Sequence, residues 1–248
     1  MKVRLDTLLV DRALVESREK ARALVLAGKV TVNGRVESKA GAMVGDDADV
    51  VLASPEHPWV GRGGVKLAHA LEVFRVDPAG RVAIDIGAST GGFTDVLLAR
   101  GATRVIAVDV GRGQLHWRLR TDPRVTLLEG LNARALHRRD LPDLGVGAAI
   151  VTIDVSFISL KLIVPAVPAL LAADADVIAL VKPQFEAGRH DVGAKGLVTD
   201  PAIHTRVLHE VTKAAATVGL RRDGLVDSPI TGAEGNREFL MLLRPHGY

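Results

Sequence analysis

A glycine-rich turn flanked by acidic residues is the first part of this sequence that indicates chemistry. Residues 85–95 read Asp-Ile-Gly-Ala-Ser-Thr-Gly-Gly-Phe-Thr-Asp and directly follow the apolar run 82–84. In an open α/β sheet, a nucleotide-like cofactor binds where a buried strand passes through such a turn into a helix. The glycines at 87, 91 and 92 do not have the GxGxxG spacing of dinucleotide-binding proteins.

The charge of Asp85 favours one kind of cofactor over another. A carboxylate two residues before the first glycine would repel a pyrophosphate and attract a cationic amino-acid group. S-adenosylmethionine (SAM) carries such an α-ammonium group and no phosphate, so the turn favours SAM over NAD. A plain tight turn with a solvated aspartate is the alternative. The residues predicted here to bind the cofactor are Asp85, Gly87, Ser89, Thr90, Gly91, Gly92 and Phe93.

Hydrogen-bond acceptors further along the chain are predicted to complete the cofactor site. Asp109 ends the apolar run 104–108, about twenty residues after the first glycine, where Rossmann-like proteins place the acid that binds the ribose hydroxyls. NAD has the same need, so Asp109 does not choose between the cofactors. Asn132 and the weaker candidate Glu129 follow the third predicted strand, where adenine edges are often read. Asn132 as a simple turn residue is an equal alternative.

Two later strands each end in a charged residue. Asp154 follows the apolar run 148–153 and Lys182 follows the run 177–181, which places both at the sheet edge where ligands bind. A charge at that position is costly to desolvate unless it has a partner or a task. The pair suits deprotonation of a sugar hydroxyl, with Lys182 as the base and Asp154 orienting it or the substrate. A structural salt bridge is the alternative.

The elements that must position these residues alternate along the chain from about residue 81. This alternation predicts an α/β fold with a Rossmann-like, mostly parallel, seven-stranded sheet. The predicted strands are 82–86, 104–109, 125–128, 148–154, 176–181, 224–228 and 237–243. The predicted helices are 92–100, 113–120, 159–172 and 201–218. The segment 183–200 is polar and contains glycine, and loops of that length are usually functional or mobile.

Residues 1–54 are predicted to form a small α+β domain of their own. Leu5, Leu8 and Leu9 fit the apolar face of one short helix, and a second helix is expected to begin after Ser17 and end at Gly28. The alternating run 30–36 contains Asn-Gly, which predicts a hairpin with a type I′ turn. A last strand is predicted at 49–52.

Basic side chains are concentrated in this first domain. Residues 1–40 carry a net charge of +4, within a chain of net charge +3, which suggests a polyanion as partner. Arg18 and Arg22 are four residues apart and are predicted to share a helix face with each other rather than with acids, so that phosphates neutralise them. A solvated basic face without a ligand is the alternative.

Three segments of this domain carry a resemblance. Residues 4–6, 17–22 and 28–34 resemble the S4 RNA-binding domain, which implies that the polyanion is RNA. With aromatic residues at 3%, recognition of phosphates and RNA shape is favoured over base stacking. The residues predicted to bind RNA are Arg4, Arg18, Lys20, Arg22 and Lys29.

Composition excludes several classes of protein. The chain contains no cysteine, which excludes disulfides, thiolate metal sites and thiol nucleophiles. Residues 1–6 have no apolar core of a signal peptide, and the most apolar later segment, 162–173, is too short to span a bilayer and contains two prolines. No Asp/Glu/His cluster suggests a metal. The sequence therefore predicts a cytoplasmic protein without a membrane partner and without a metal.

Longer motifs extend the resemblance to the whole chain. Residues 61–67, 87–94, 154–159, 181–186 and 232–239 resemble the TlyA family. These are ribosomal-RNA 2′-O-ribose methyltransferases with an S4 domain ahead of a methyltransferase domain like that of FtsJ/RrmJ. Pro55 and Pro58 mark a linker without helix or strand signature, and the predicted domain boundaries are 1–54, 55–62 as the linker, and 63–248.

The resemblance also implies a catalytic tetrad of Lys66, Asp154, Lys182 and Glu238. The implied reaction is an in-line transfer in which the ribose 2′-hydroxyl lies about 3 Å from the SAM methyl group. Lys182 would take the proton, held by Asp154 and Glu238, while Lys66 stabilises oxygen charge or phosphate. Only the resemblance places Lys66 in the site.

The resemblance leaves the substrate partly open. Because the chain ends at Tyr248, just beyond the last predicted strand, it is similar to the short family members that modify the large subunit, and a cytidine of 23S rRNA is favoured over one of 16S rRNA. An inactive RNA-binding or ribosome-assembly factor is one alternative, and an NAD-linked oxidoreductase is a weaker one. Membrane lysis, suggested by the family's historical label of haemolysin, has no apolar or basic amphipathic segment to support it.

Overall fold

A computed structural model describes residues 1–15, 17–53, 57–142 and 144–246 of the chain. The chain divides into two compact units, Met1–Pro58 and Trp59–Tyr248. Residues 54–56, at the start of the predicted linker, and 247–248 at the chain end lie outside the described residues. Trp59 and Val60, in the second half of that linker, pack against a core of the second unit. The boundaries 1–54, 55–62 and 63–248 stay a prediction.

The first unit combines two short helices with five short strands. In chain order these are β1 (Lys2–Arg4), α1 (Leu5–Asp11), α2 (Arg18–Leu26), β2 (Val30–Val32), β3 (Arg35–Val36), β4 (Met43–Gly45) and β5 (Val50–Leu52). An antiparallel sheet has the order β3-β2-β5, and β1 pairs with β4. Apolar side chains of α1 and α2, with Val30, form its core.

Local sequence signals explain the ends of these elements. The Ser17 hydroxyl accepts a 3.2 Å hydrogen bond from the Lys20 backbone N–H, so Ser17 caps α2 as predicted. Asn33 and Gly34 have φ values of +50° and +76°, which both lie in the left-handed region that a type I′ turn requires. The predicted hairpin is therefore confirmed.

The second unit is built on one seven-stranded sheet. Its strands are β6 (Val82–Ile86), β7 (Arg104–Asp109), β8 (Val125–Glu129), β9 (Ala148–Ile153), β10 (Leu171–Val181), β11 (Leu220–Asp227) and β12 (Phe239–Pro245). Their order is β11-β12-β10-β9-β6-β7-β8. Only the pairs that involve β12 are antiparallel within the described part of this sheet. The predicted mostly parallel, Rossmann-like α/β fold is confirmed.

Helices cover this sheet and hold its edge residues in place. They are α3 (Gly63–Phe74), α4 (Gly92–Ala99), α5 (Trp117–Arg120), α6 (Pro183–Glu186) and α7 (Pro201–Thr217). Successive residues of one strand point to opposite faces, and accordingly Ile84 and Ile86 lie in one buried cluster while Ala83 lies in another. Both faces of the sheet are therefore buried, as is usual for parallel strands.

Two sequence predictions about helices are wrong. The predicted helix 159–172 is instead a series of three 3-10 turns, 160–162, 164–166 and 168–170, because Pro165 and Pro168 cannot donate the hydrogen bonds of a continuous helix. The predicted helix 113–120 is limited to α5, since Gly113 has a φ of +70°.

Candidate active site

Three of the four predicted catalytic residues lie on neighbouring strands at one edge of the sheet. Asp154 directly follows β9, Lys182 directly follows β10, and Glu238 directly precedes β12. In the sheet β10 lies between β9 and β12, and Val181 pairs with Phe239. The strand order alone therefore brings these residues to one place.

Lys182 and Asp154 form a close ion pair. The Lys182 Nζ lies 2.6 Å from Oδ1 of Asp154 and donates a 2.9 Å hydrogen bond to the Ser156 hydroxyl. The same Nζ lies 5.9 Å from the ring centre of Phe185. Lys182 is 8% exposed, so the ammonium group is held by these contacts rather than by solvent.

The fourth predicted catalytic residue, Lys66, pairs with Glu238. Lys66 lies on α3, and its Nζ donates a 2.5 Å hydrogen bond to Oε2 of Glu238, with both side chains buried. The prediction that Glu238 holds Lys182 is therefore wrong in this detail: within the described chain, the hydrogen-bond and ion-pair partners of Lys182 are Ser156 and Asp154. The reason is α3, which the sequence patterns did not predict and which brings a second lysine to Glu238.

A glycine makes room for the Glu238 carboxylate. A Cβ atom at Gly232 would lie 2.0 Å from Oε1 of Glu238, so a side chain there would displace the Glu238 carboxylate. The Arg62 guanidinium donates a 2.9 Å hydrogen bond to the carbonyl oxygen of Thr231, which ties the start of α3 to the same loop. The Lys66–Glu238 pair is thus fixed from both sides.

Two adjoining cavities open at this sheet edge, and both are lined by Gly87, Ser89, Asp154 and Ser156. The larger has a volume of about 440 Å³ and is also lined by Asp109, Asn132 and apolar side chains that include Val108, Leu131 and Ile158. The smaller has a volume of about 180 Å³ and is also lined by Gly63, Thr90, Gly92, Phe93 and Lys182. The predicted cofactor turn and the Lys182–Asp154 pair therefore border the same space.

The larger cavity has the groups that a nucleoside-bearing cofactor needs. Asp109 accepts backbone hydrogen bonds from Ser89 (2.7 Å) and Gly111 (2.6 Å), which aim its carboxylate at the cavity. Each carboxylate oxygen has a further lone pair for a ribose hydroxyl. Asn132 caps a 3-10 turn through the Arg134 N–H, and Glu129 is engaged by Gly113 and Arg120. The apolar wall, the carboxylate that can bind a ribose, and a turn without the GxGxxG spacing of dinucleotide-binding proteins together fit SAM.

Because Gly87 has no side chain, the glycine-rich turn can lie close to the backbone of Asp154. Gly87 has a φ of +86°, and a Cβ atom there would lie 2.5 Å from the Asp154 carbonyl oxygen. Any other residue would be both strained and in collision with the backbone. Gly91, in contrast, lines neither cavity and lies against Leu115 and Leu119.

Asp85 lies beneath the turn rather than at its surface. Its carboxylate is fully buried and accepts hydrogen bonds from the hydroxyls of Thr94 (2.7 Å) and Thr152 (2.9 Å). Asp85 lines neither cavity, so the structure does not show the direct charge contact that the sequence suggests. Burial raises the pKa of Asp85 to about 6.

Replacing Asp85 by asparagine is expected to stabilise the second unit at pH 8 but not at pH 4. Because the pKa of Asp85 is raised in the folded state, its contribution to stability is present below about pH 4 and is lost as pH rises through about 6. The difference between variant and wild type should therefore grow by about 2 to 3 kcal/mol over that range. Urea unfolding at several pH values measures it, and a difference independent of pH would contradict this origin.

The basic residues of the first unit divide into two groups. Arg4 and Arg18 both pair with the buried carboxylate of Asp6, at 2.8 and 3.2 Å, and these guanidinium groups hold the pKa of Asp6 well below its usual range. The prediction that Arg18 has no acidic partner is therefore wrong, because α1 brings Asp6 to it. Lys20 and Arg22 are exposed on α2, and Lys29 is half-buried.

Some cavity-lining residues were not singled out from the sequence. Ser156, Phe157 and Gln114 line the larger cavity; Phe157 has a φ of +64° and is 91% exposed. The signal that could have found Ser156 and Phe157 is their position directly after Asp154 in the motif 154–159.

In the described part of the chain, no helix has both the length and the apolar character that crossing a membrane requires.

Comparison with known proteins agrees with this geometry. Residues 59–244 match the family model of the FtsJ-like methyltransferases, and residues 3–51 match that of the S4 domain. The 16S/23S rRNA (cytidine-2′-O)-methyltransferase TlyA of Mycobacterium tuberculosis is 45% identical over 98% of this chain and 90% of its own length.

Solved structures show the same architecture. A Streptococcus thermophilus protein, provisionally named a hemolysin, is 45% identical over 98% of this chain and 88% of that one, with a TM-score of 0.76. A SAM-dependent methyltransferase from Mesorhizobium loti is 15% identical and shares the fold over 75% of this chain and 100% of that one, with a TM-score of 0.54. The chain therefore belongs to the TlyA group of FtsJ-like methyltransferases, enzymes that use SAM as the methyl donor, and carries an S4 domain.

Proposed function

We propose that this enzyme methylates the 2′-hydroxyl of a ribose in ribosomal RNA, at a cytidine. The observation that carries the proposal is the Lys182–Asp154 ion pair, which borders the same space as the cofactor turn. The name of the M. tuberculosis relative, an rRNA cytidine-2′-O-methyltransferase, supports the substrate. A ribosomal substrate would also place the protein in the cytoplasm.

The cofactor half of the proposed site lies in the larger cavity. Bound SAM supplies an electrophilic methyl group on a sulfonium centre. Asp109 would accept hydrogen bonds from the ribose hydroxyls of the donor, and Asn132 would contact the adenine edge. The glycine turn from Gly87 to Phe93 would approach the amino-acid part. These residues bind and orient, and they move no proton.

Lys182 is the proposed proton acceptor. The 2′-hydroxyl would lose its proton as it accepts the methyl group that SAM supplies when bound, with the thioether as the leaving group. The Nζ of Lys182, having first released its own proton to solvent, would take that proton. Asp154 and Ser156 fix that nitrogen from two directions. This arrangement needs only that the hydroxyl enter the smaller cavity, which Lys182 lines.

The Lys66–Glu238 pair is proposed to act indirectly, by fixing a wall of the smaller cavity. Neither residue lines either cavity, but Gly63, at the start of the helix that carries Lys66, lines the smaller one and lies beside Asp154 and Phe93. Fixing Lys66 to β12 therefore fixes one wall of the proposed acceptor site.

The first unit is proposed to bind the RNA through α2. Across residues 1–58 the nine basic residues are balanced by nine acidic ones, so binding must depend on where the charges lie. Lys20 and Arg22 are exposed on α2, whereas Arg4 and Arg18 are already paired with Asp6. We therefore expect Lys20 and Arg22 to make the stronger phosphate contacts, with Lys29 at the start of the hairpin.

Replacing Lys20 and Arg22 together by alanine should weaken RNA binding and reduce its salt dependence. Each lost phosphate contact lowers the slope of log K against log salt by about 0.7 to 0.9. Filter binding to rRNA fragments over a salt series measures this. Exposed Lys213 on α7, replaced by alanine, is the control; an unchanged slope in the double variant would contradict a role for α2.

Transfer of a tritiated methyl group from SAM to separated ribosomal subunits tests the proposed function. Labelled RNA should release 2′-O-methylcytidine on nucleoside analysis, and Lys182→Ala should not label it. The preference for 23S rRNA over 16S rRNA stays a prediction. The name of the M. tuberculosis relative includes both RNAs, so the experiment uses both subunits as separate substrates. SAM binding without labelling of either subunit would favour an inactive assembly factor and refute the proposal.

A further inference from the structure

We infer that Glu186 is a positioning residue, whose buried carboxylate holds the segment 155–160 against α6 and so keeps Lys182 in its contacts with Asp154 and Ser156. The importance of that position for methyl transfer rests on the proposed function. Glu186 lies four residues after Lys182, and none of the motif-based site predictions includes it.

Both carboxylate oxygens of Glu186 are bound to the far end of this segment. Oε2 accepts a 2.5 Å hydrogen bond from the Ser159 hydroxyl, and Oε1 accepts a 2.6 Å hydrogen bond from the Leu160 backbone N–H. Ser159 also accepts a hydrogen bond from the Lys161 N–H and thereby caps the turn 160–162. One side chain thus fixes both the segment's end and the turn that follows.

The segment is attached to α6 and Lys182 at three successive places. Directly before it Asp154 contacts Lys182, and near its start Ser156 does so. In its middle the rings of Phe157 and Phe185 lie 5.1 Å apart. At its end Glu186 makes the two hydrogen bonds. Because Lys182, Phe185 and Glu186 belong to one short stretch of chain, loss of the last attachment should loosen the first.

Val155, Ile158 and Leu160 of this segment pack in or against the core of the second unit, but the segment also contains a strained residue. Phe157 has a φ of +64° and is 91% exposed, and such a conformation persists for a bulky residue only where its surroundings enforce it. Glu186 is 8% exposed and forms no ion pair with any described residue, and burial raises its pKa. A buried carboxylate without an ion-pair partner is costly, which argues for a specific positional task.

The first test measures the position of Lys182 without any catalysis. Reductive methylation of the full chain, read by peptide mass spectrometry, reports how accessible each lysine is. In Glu186→Ala the labelling of Lys182 should accelerate about tenfold, because losing two buried hydrogen bonds eases local opening. Lys66 is the matched control: its side chain is equally exposed, at 10%, but its carboxylate partner is Glu238.

The second test measures methyl transfer with saturating SAM. Glu186→Ala should lower kcat about 10- to 100-fold, as expected for a slightly misplaced catalytic group, while the Kd for SAM stays within twofold. Glu186→Gln, which can still accept from Leu160 and donate to Ser159, should restore most of the rate. Glu210→Ala, which removes the exposed partner of Lys161 beside the same turn, should have no effect.

A double-mutant cycle distinguishes positioning from general destabilisation. If Glu186 acts through the Ser156–Lys182 contact, the effects of Glu186→Ala and Ser156→Ala on kcat will be less than additive. Fully additive effects, unchanged Lys182 labelling, or a parallel loss of SAM affinity would each overturn the inference. If Glu186→Ala does not fold, Ser159→Ala removes one of the two hydrogen bonds for the same tests. Should the wild type methylate no RNA, the proposed function fails, but the labelling test still decides on Glu186.

Discussion

Replacing Lys182 by alanine is expected to lower the rate of methyl transfer by about 10³-fold while SAM binding is unchanged. General-base catalysis contributes about 10²- to 10⁴-fold to a rate, and Lys182 is the proposed base. Its Nζ lines the smaller cavity, whereas the proposed contacts to the nucleoside of SAM lie in the larger one. Single-turnover transfer to rRNA with saturating SAM measures the rate, and calorimetry measures the Kd for SAM.

Lys182→Arg separates the two roles that the ion pair could have. Arginine keeps the charge beside Asp154 but does not give up its proton in proteins, so it should preserve the fold and remain inactive. Lys161→Ala, in which a half-buried lysine bound to Glu210 is lost, is the control and should be fully active. Full activity of Lys182→Arg would show that the residue is not the base.

The strands that carry the site could be predicted because the apolar runs are long and end in charged residues. Lys182 and Asp154 were located by this pattern alone, and the structure brings them to 2.6 Å. Parallel strands share one carboxyl edge, so strand ends are sufficient to predict which residues meet there. The structure adds that successive residues of β6 lie in two different buried clusters, so that both faces of the sheet are buried.

Helices were harder to predict wherever glycine or proline interrupts the pattern. The helix α3 begins with Gly63 and Gly64, residues of low helix propensity, and it was missed although it carries Lys66. The run 159–172 is mostly apolar, but Pro165 and Pro168 divide it into short turns. In both segments the pattern of apolar residues was an insufficient guide to the backbone conformation, because glycine or proline interrupts it.

Partners of charged residues could not be predicted from spacing, because they come from other elements. Arg18 forms an ion pair with Asp6 on α1, and Glu238 forms one with Lys66 on α3. The Asp85 carboxylate accepts hydrogen bonds from two threonine hydroxyls. In each case the sequence pattern identified a residue that needs a partner, and tertiary packing decided which partner it has. These tertiary partners determine how a substitution of the charged residue changes stability.

Removal of the Glu238 carboxylate is expected to destabilise the second unit by about 3 to 5 kcal/mol, the cost of leaving one partner of a buried ion pair uncompensated. In Glu238→Leu the Lys66 ammonium, at 10% side-chain exposure, would lose its 2.5 Å acceptor. Both tryptophans, Trp59 and Trp117, lie in the second unit. Urea unfolding followed by tryptophan fluorescence therefore reports on this unit.

The double variant Lys66→Met with Glu238→Leu shows whether the pair serves folding or catalysis. Replacing both charges by apolar groups of similar size is often neutral for stability, so the double variant should regain most of the stability that Glu238→Leu loses. If the pair only fixes the wall formed by α3, this variant should also regain methyl transfer. If Lys66 or Glu238 acts on the substrate, as the family resemblance implies, the double variant will be stable and inactive. Stability no better than in Glu238→Leu would contradict the account of the ion pair itself.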